Sequence, residues 1–352
     1  MSTLVSITAI GQSPASEFLS AHRIDDLPIL VIAAHNQCNC RCMMCDIWRI
    51  REPLELTPTD LGKHISAIRE LKVQWAAFTG GEPQLNRNLF SLARTLKDEG
   101  IRVTLLTAGL LLEDQASELA STFDDVIVSL DGPREVHDAI RRVARAFDKI
   151  AAGVRTLRNL RADMPISARC TVQRANRRSL RAAVQATRGL GLNSISFLAA
   201  DLTSAAFNHA DGWPDSRKEK VALTISEVGE LATEIEALIE EHTADFDSRF
   251  IVESPAKLRR IVQHFRADLG ETGHVAPRCN APWVSAVVEA SGDVKPCFFH
   301  PAIGNIHQRQ LSEILNSPQA VQFRANLDIA TNPVCRRCVC SLNYRPDGPA
   351  TA

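Results

Sequence analysis

The chain has 352 residues, 45% of them apolar and 23% charged, with a formal net charge of −1. That length suffices for a core of about 200 residues or more plus a smaller domain, and the near-neutral balance excludes a global field that would draw in nucleic acid. The longest clean apolar stretch, residues 27–34, is too short to cross a bilayer, and the N-terminus lacks the pattern of a signal peptide, so a cytoplasmic protein with no membrane partner is expected.

Residues 28–200 read as alternating strands and helices. A strand at 29–33 runs into a cysteine-rich loop. Thr57 then serves as N-cap with Pro58 at the first helical position, where its missing N–H costs nothing. Leu61, Ile65, Ile68 and Leu71 recur at helical spacing behind them. Further strands are expected at 75–79, 103–107, 126–129, 166–172 and 194–198. Helices are expected at 89–96, closed by Gly100, and at 114–121, 147–160 and 180–190. Six strands with crossovers of helical length imply a parallel sheet, and both an open sheet and a partial barrel fit that count. A helix at 225–241 follows a polar stretch, and a hairpin at 285–289 and 294–298 turns at Ser291-Gly292. The expected divisions are an extension at 1–27, the α/β unit at 28–220, a helical connection at 221–275 and a cysteine-rich unit at 276–345.

Ten cysteines fall in two groups, four at 38–45 and five from Cys279 to Cys340, with Cys170 alone between them. Cys38, Cys42 and Cys45 form Cys-x3-Cys-x2-Cys. Iron–sulfur clusters are normally held by four thiolates, so three would leave one iron open for a ligand. Structural zinc, disulfides and packed apolar thiols are the alternatives on spacing alone.

Ligands of parallel sheets bind beyond the carboxyl ends of the strands. There the chain carries Thr79-Gly80-Gly81-Glu82-Pro83, Thr107-Ala108-Gly109 and Ser129-Leu130-Asp131-Gly132-Pro133. Gly80 and Gly81 let backbone approach a ligand closely, Glu82 suits an ammonium group, and alternation aims Ser129 and Asp131 the same way, toward sugar hydroxyls. Each segment alone is a common turn; together, beside a three-cysteine loop, they point to a site.

With these residues, 28–200 resembles the radical S-adenosylmethionine (SAM) superfamily: the three-cysteine loop, Gly80-Gly81-Glu82-Pro83, and Ser129 to Pro133 continued by His137-Asp138 and Ile140-Arg141. Two positions depart from the common pattern, Met44 where many members have an aromatic residue and Ala108 where many have Asn. The resemblance implies a partial (β/α)6 TIM-like barrel and a [4Fe–4S] cluster on Cys38, Cys42 and Cys45. The open iron would chelate SAM, and one electron, from a donor such as flavodoxin or ferredoxin, would cleave it to methionine and a 5′-deoxyadenosyl radical. Glu82 would hold the SAM amino group, Ser129 and Asp131 would lie near the ribose, Thr107 would border the pocket, and Arg169 would meet the carboxylate. An inward Arg169 turns Cys170 outward, and Cys40 is read as a packed bystander.

Cys279, Cys297, Cys335 and Cys338 supply four more thiolates. On spacing they fit a zinc ribbon; beside the barrel they resemble the C-terminal SPASM/twitch extension, a hairpin and helix domain implying one auxiliary [4Fe–4S] cluster, with Cys340 an alternative to Cys338. A cluster saturated by cysteine is suited to accept an electron, so net oxidation of a small molecule, by dehydrogenation, is expected. An oxidative peptide maturase or an epimerase of the same superfamily is the alternative, and a non-catalytic iron–sulfur electron carrier the alternative of another class. No catalytic acid or base is legible.

Overall fold

The computed structural model describes residues 22–209 and 213–345. Its centre is a parallel run of β1 (Ile29–His35), β2 (Trp75–Gly80), β3 (Arg102–Thr107), β4 (Asp125–Ser129), β5 (Ile166–Val172) and β6 (Ile195–Ala199), each paired with its predecessor. These are the six expected strands, with ends moved by one or two residues. The sheet stays open, as a partial barrel. Beyond β6, Phe250 O and Val252 N bond to the two backbone groups of Ile195, and the Glu253 carboxylate accepts from Phe197 N at 2.8 Å. That segment covers an edge that would otherwise invite pairing with another chain.

The other edge carries the C-terminal hairpin. β7 (Ser285–Val288) pairs in parallel with β1, and β8 (Asp293–Lys295) and β9 (Gly304–Asn305) follow antiparallel. One nine-stranded sheet, β6-β5-β4-β3-β2-β1-β7-β8-β9, therefore joins the α/β unit and the cysteine-rich hairpin. Gly292 turns the hairpin at φ 84°, a left-handed value that glycine adopts without penalty.

Strand alternation sorts the side chains. Leu30, Ile32, Phe78, Val103, Leu105, Val126, Val128 and Ile166 are buried beneath the helices, where each Leu or Ile truncated to Ala would cost about 2–5 kcal/mol. Cys170 lies on this face, wholly buried in the core. The opposite, inner face presents Val31, Ala77, Leu106, Ile127, Arg169 and Ser196 to a cavity.

Helix formation follows the caps. Thr57 and Asp60 close a reciprocal capping box, but the helix stops at Gly62 and resumes at Ile65. The interruption falls at His64, which turns inward to bond Ile306 O at 3.0 Å and Leu311 N at 3.3 Å. Helix Ile225–Glu241 presents Glu227, Glu230 and Glu234 to Arg174, Arg177, Arg178 and Arg181 of the β5–β6 crossover, and helix Pro255–Asp268 lies beside it.

Candidate active site

The cysteine loop leaves β1 and is held from three sides. Helix Arg134–Arg141 ends in carbonyls that have no partner within the helix, and the loop supplies it: Arg41 N donates to Arg141 O at 3.1 Å and Met43 N to Ile140 O at 3.0 Å. On the second side, Gly81 N and Glu82 N donate to His35 O and Gln37 O, both at 2.8 Å. A Cβ on Gly80 would stand 2.3 Å from His35 O, and one on Gly81 2.2 Å from Gln37 O. The glycine pair thus lets the end of β2 touch the entry to the cysteine loop, a contact with backbone rather than with a ligand.

The third side is the polar stretch after β6. Asp46, directly after Cys45, accepts from Trp213 Nε1 at 2.8 Å and pairs with Arg217 at 2.5 Å, while its N–H donates to Phe207 O at 3.0 Å. Trp213, Leu202 and Val221 form a small apolar cluster with Cys40, Cys42 and Met44. The segment folds down over the loop.

Glu82 is fully buried. It accepts from Thr107 Oγ1 and Ala108 N, each at 2.8 Å, and from Gln84 N at 3.1 Å. Burial pushes its carboxyl above the usual range, opposed by these bonds. Thr107 is itself buried, its single O–H 2.8 Å from both Glu82 Oε1 and Gln84 Oε1 and free to serve one at a time.

Ser129 and Asp131 part company, because alternation ends with the strand. Ser129 stays on β4, in register with Arg169, which in turn is in register with Ser196; Arg169 Nε donates to Ser196 Oγ at 3.3 Å. Asp131 is wholly buried, accepting from Arg141 Nε at 2.6 Å and Thr171 N at 3.0 Å. Arg141 carries its other end to the Cys42 sulfur at 3.6 Å. The motif reading names Arg141 without a role; its charge beside a thiol was the available signal.

All ten cysteines are free thiols, which removes the disulfide reading. Cys42 falls to about 7, first because Cys40 donates to it and then through Arg141, against the opposing pull of burial. Cys45 is raised by burial. Cys40 is raised by its bonds to Cys38 and Cys42, so it stays protonated and donates. Cys38, Cys42 and Cys45 form a thiol-only donor set, which fits an iron–sulfur cluster.

The second cysteine group is assembled from three segments. Asn280 gathers them: its N–H donates to Leu342 O and its Nδ2 to Tyr344 O, both at 2.8 Å. Asn332 caps helix Pro333–Arg336 by accepting from Val334 N and Cys335 N. Burial raises Cys297 to about 12 and Cys335 to about 11, and His300 places Nε2 3.4 Å from the Cys335 sulfur. Cys279, Cys297, Cys335, Cys338 and Cys340 all border the cavity of about 200 Å³ whose other wall is the inner face of the sheet. Glu253 and Lys257, 3.4 Å apart, border it too; no motif marks them, and only the fold brings them there.

An open (β/α)6 sheet with thiol groups at the end of β1 and on the attached hairpin defines an α/β iron–sulfur protein. Residues 32–173 match the family model described as Radical SAM superfamily, and residues 279–339 the iron–sulfur cluster-binding domain SPASM. The chain thus carries a radical SAM domain followed by a SPASM domain. Its cofactors are S-adenosylmethionine with a [4Fe–4S] cluster, and auxiliary iron–sulfur chemistry in the SPASM domain.

The AdoMet-dependent heme synthase of Methanosarcina barkeri (strain Fusaro / DSM 804) is 31% identical over 159 residues, 44% of this chain and 45% of that protein. The chain thus aligns with about half the length of that relative. The Fe-coproporphyrin III synthase of the same strain is 24% identical over 343 residues, covering 91% of this chain and 84% of that one. Streptococcus suis SuiB bound to S-adenosylmethionine shares the fold at a TM-score of 0.64 and 12% identity, over 93% of this chain and 75% of SuiB.

Proposed function

We propose that the chain is a radical SAM enzyme that carries out a net oxidation of a small organic substrate held between the inner face of the sheet and the C-terminal thiols. One observation carries this reading: the five cysteines from Cys279 to Cys340 border the same cavity as Arg169 and Ser196. A substrate there lies against the electron acceptor that an oxidation needs.

In this proposal Cys38, Cys42 and Cys45 hold the SAM-binding cluster, and Cys279, Cys297, Cys335 and Cys338 hold one auxiliary cluster, with Cys340 the alternative fourth ligand. When bound, the reduced cluster supplies the electron that splits SAM into methionine and a 5′-deoxyadenosyl radical, which takes hydrogen from the substrate. A carboxylate offers about four acceptor positions and three protein donors occupy Glu82; the fourth would receive the SAM ammonium once the turn over this wholly buried side chain opens. Gly80 and Gly81 shape that turn, Thr107 steadies Glu82, Ser129 and Arg169 face the cofactor, and Asp131 acts through Arg141 on the cysteine loop.

Two relatives are named for making heme and iron coproporphyrin, which supports a small-molecule substrate. A structural neighbour of the same fold holds a precursor peptide, so peptide oxidation is the second reading. Flavodoxin or ferredoxin is the proposed electron donor.

The test is anaerobic reconstitution with iron and sulfide, then reduction with dithionite in the presence of SAM. Formation of 5′-deoxyadenosine is expected; its absence with every reductant would sink the reading. Two clusters predict about eight irons per chain, and replacing Cys38, Cys42 and Cys45 together should leave about half.

A further inference from the structure

Outside the cavity, and sharing Glu253, Lys257, Pro277 and Ser341 with it, lies an open cleft of about 790 Å³. Four cations border it, Arg249, Lys257, Arg260 and Arg278, against two carboxylates, Asp247 and Glu253. Glu253 is already paired with Lys257 at 3.4 Å. Among the described residues, Arg249, Arg260 and Arg278 have no carboxylate within ion-pair distance. Arg260 has one long bond, to Cys338 O at 3.5 Å. Within one helix, Arg259 pairs with Glu236 at 2.6 Å, whereas the next residue, Arg260, borders the cleft with no carboxylate partner and has the thiols Cys338, Cys340 and Cys279 as its charge partners.

We propose that this cleft binds the anionic groups of the substrate, and that the substrate is a small molecule carrying two or more carboxylate or phosphate groups on an apolar body. This deepens the function proposed above and rests on it. Arginine forks match carboxylate and phosphate oxygens in pairs, and a concave wall with four cations against two carboxylates focuses a net positive field on an incoming anion. Past Glu253 and Lys257 the surroundings change to Val31, Trp75, Leu198 and Phe299, which suits an apolar body directed at the auxiliary thiols. The combined space matches the usual size of small-molecule sites, about 300–1,000 Å³. Arg249 and Arg278, both exposed on the cleft without a carboxylate partner, are free to receive such groups.

The experiment is titration calorimetry on the anaerobically reconstituted protein with two probes, benzene-1,3,5-tricarboxylate and inorganic pyrophosphate. Binding that weakens with salt is expected. The pair Arg249→Gln and Arg278→Gln should raise Kd by about tenfold or more, while Arg266→Gln with Arg309→Gln, the same charge change at exposed positions outside the cleft, should leave it within about twofold. Preference for one probe names carboxylate or phosphate as the recognised group. Binding of neither probe, or equal losses in the two pairs, would overturn the proposal. Iron content checks folding, and Arg278→Gln alone, at an exposed position, is read in the same way if the double variant loses iron. If the unaltered protein cleaves SAM but binds neither anion, this inference falls and the enzymatic reading stands. If it does not cleave SAM, that reading falls whatever the anions do.

Discussion

Arg141 donates to the Asp131 carboxylate at 2.6 Å and holds its other end 3.6 Å from the Cys42 sulfur, so the turn after β4 is tied to the cysteine loop through one guanidinium. Both partners of the ion pair are excluded from water. Such a pair is costly to bury and costlier to break, because the survivor is left as an unpaired buried charge. Arg141→Gln and Asp131→Asn should each destabilise the protein by about 3–5 kcal/mol, read from the urea midpoint under anaerobic conditions. Losses below about 1 kcal/mol would mean that water reaches the pair.

His137 packs under this pair with no exposed surface and accepts from Asp131 N at 3.2 Å. Burial lowers it to about 4, opposed by Asp131 and Asp138 and aided by Arg141. The unfolded chain therefore binds the proton first as pH falls. Stability is full above the ordinary histidine value of about 6.5 and is lost progressively from there toward pH 4. Between pH 7 and 5 this histidine should account for about 2 kcal/mol. His137→Gln should flatten the urea stability curve by that amount relative to the unaltered protein, whose His264, also lowered to about 4, still contributes in both. Parallel curves would remove His137 from the account.

Gly81 lies outside the left-handed region, so any penalty for alanine there is steric. The added carbon would stand 2.2 Å from Gln37 O and 2.5 Å from Gln37 C. Gly81→Ala should displace the cysteine loop and lower bound iron from about eight to about four per chain, with the C-terminal cluster retained. Full iron in this variant would show that the loop can shift without losing its ligands.

Asp46 anchors the segment after β6 through Trp213 and Arg217. Asp46→Ala should raise the rate of tryptic cleavage at Arg217 or Lys218 by about tenfold, the loss of roughly one hydrogen bond to a charged group. An unchanged cleavage rate would assign closure of the segment to the apolar contacts of Trp213 alone.

His300 reaches the Cys335 sulfur at 3.4 Å. Hydrogen bonds to cluster sulfurs help set reduction potentials. His300→Phe should lower the potential of the auxiliary cluster by on the order of tens of millivolts, measured by redox titration with EPR detection. A potential unmoved by the substitution would leave His300 as packing against Phe323.

The six parallel strands and most of their helices were legible because their cause is local: apolar runs of strand length, an N-cap at Thr57, a left-handed Gly100. Helix Pro255–Asp268 was not singled out, although its buried Leu258, Ile261, Val262 and Phe265 keep helical spacing. The three-cysteine loop and the Gly-Gly-Glu turn were legible for the same reason, since each spans only a few residues. The interruption at His64 was not, because its partners lie 242 and 247 residues away.

By itself the sequence determined the two domain types, the two cysteine groups and the order of the strands, all properties of short segments with their own periodicity or spacing. Tertiary structure decided the rest. Pairing of β7 with β1 merges the hairpin with the barrel sheet. Burial turns Asp131 from the open rim to Arg141, and segments from 249 to 278 meet in a cationic cleft beside the auxiliary thiols. Those outcomes depend on contacts between residues far apart in the chain, where burial and charge pairing, rather than local propensity, choose the partner.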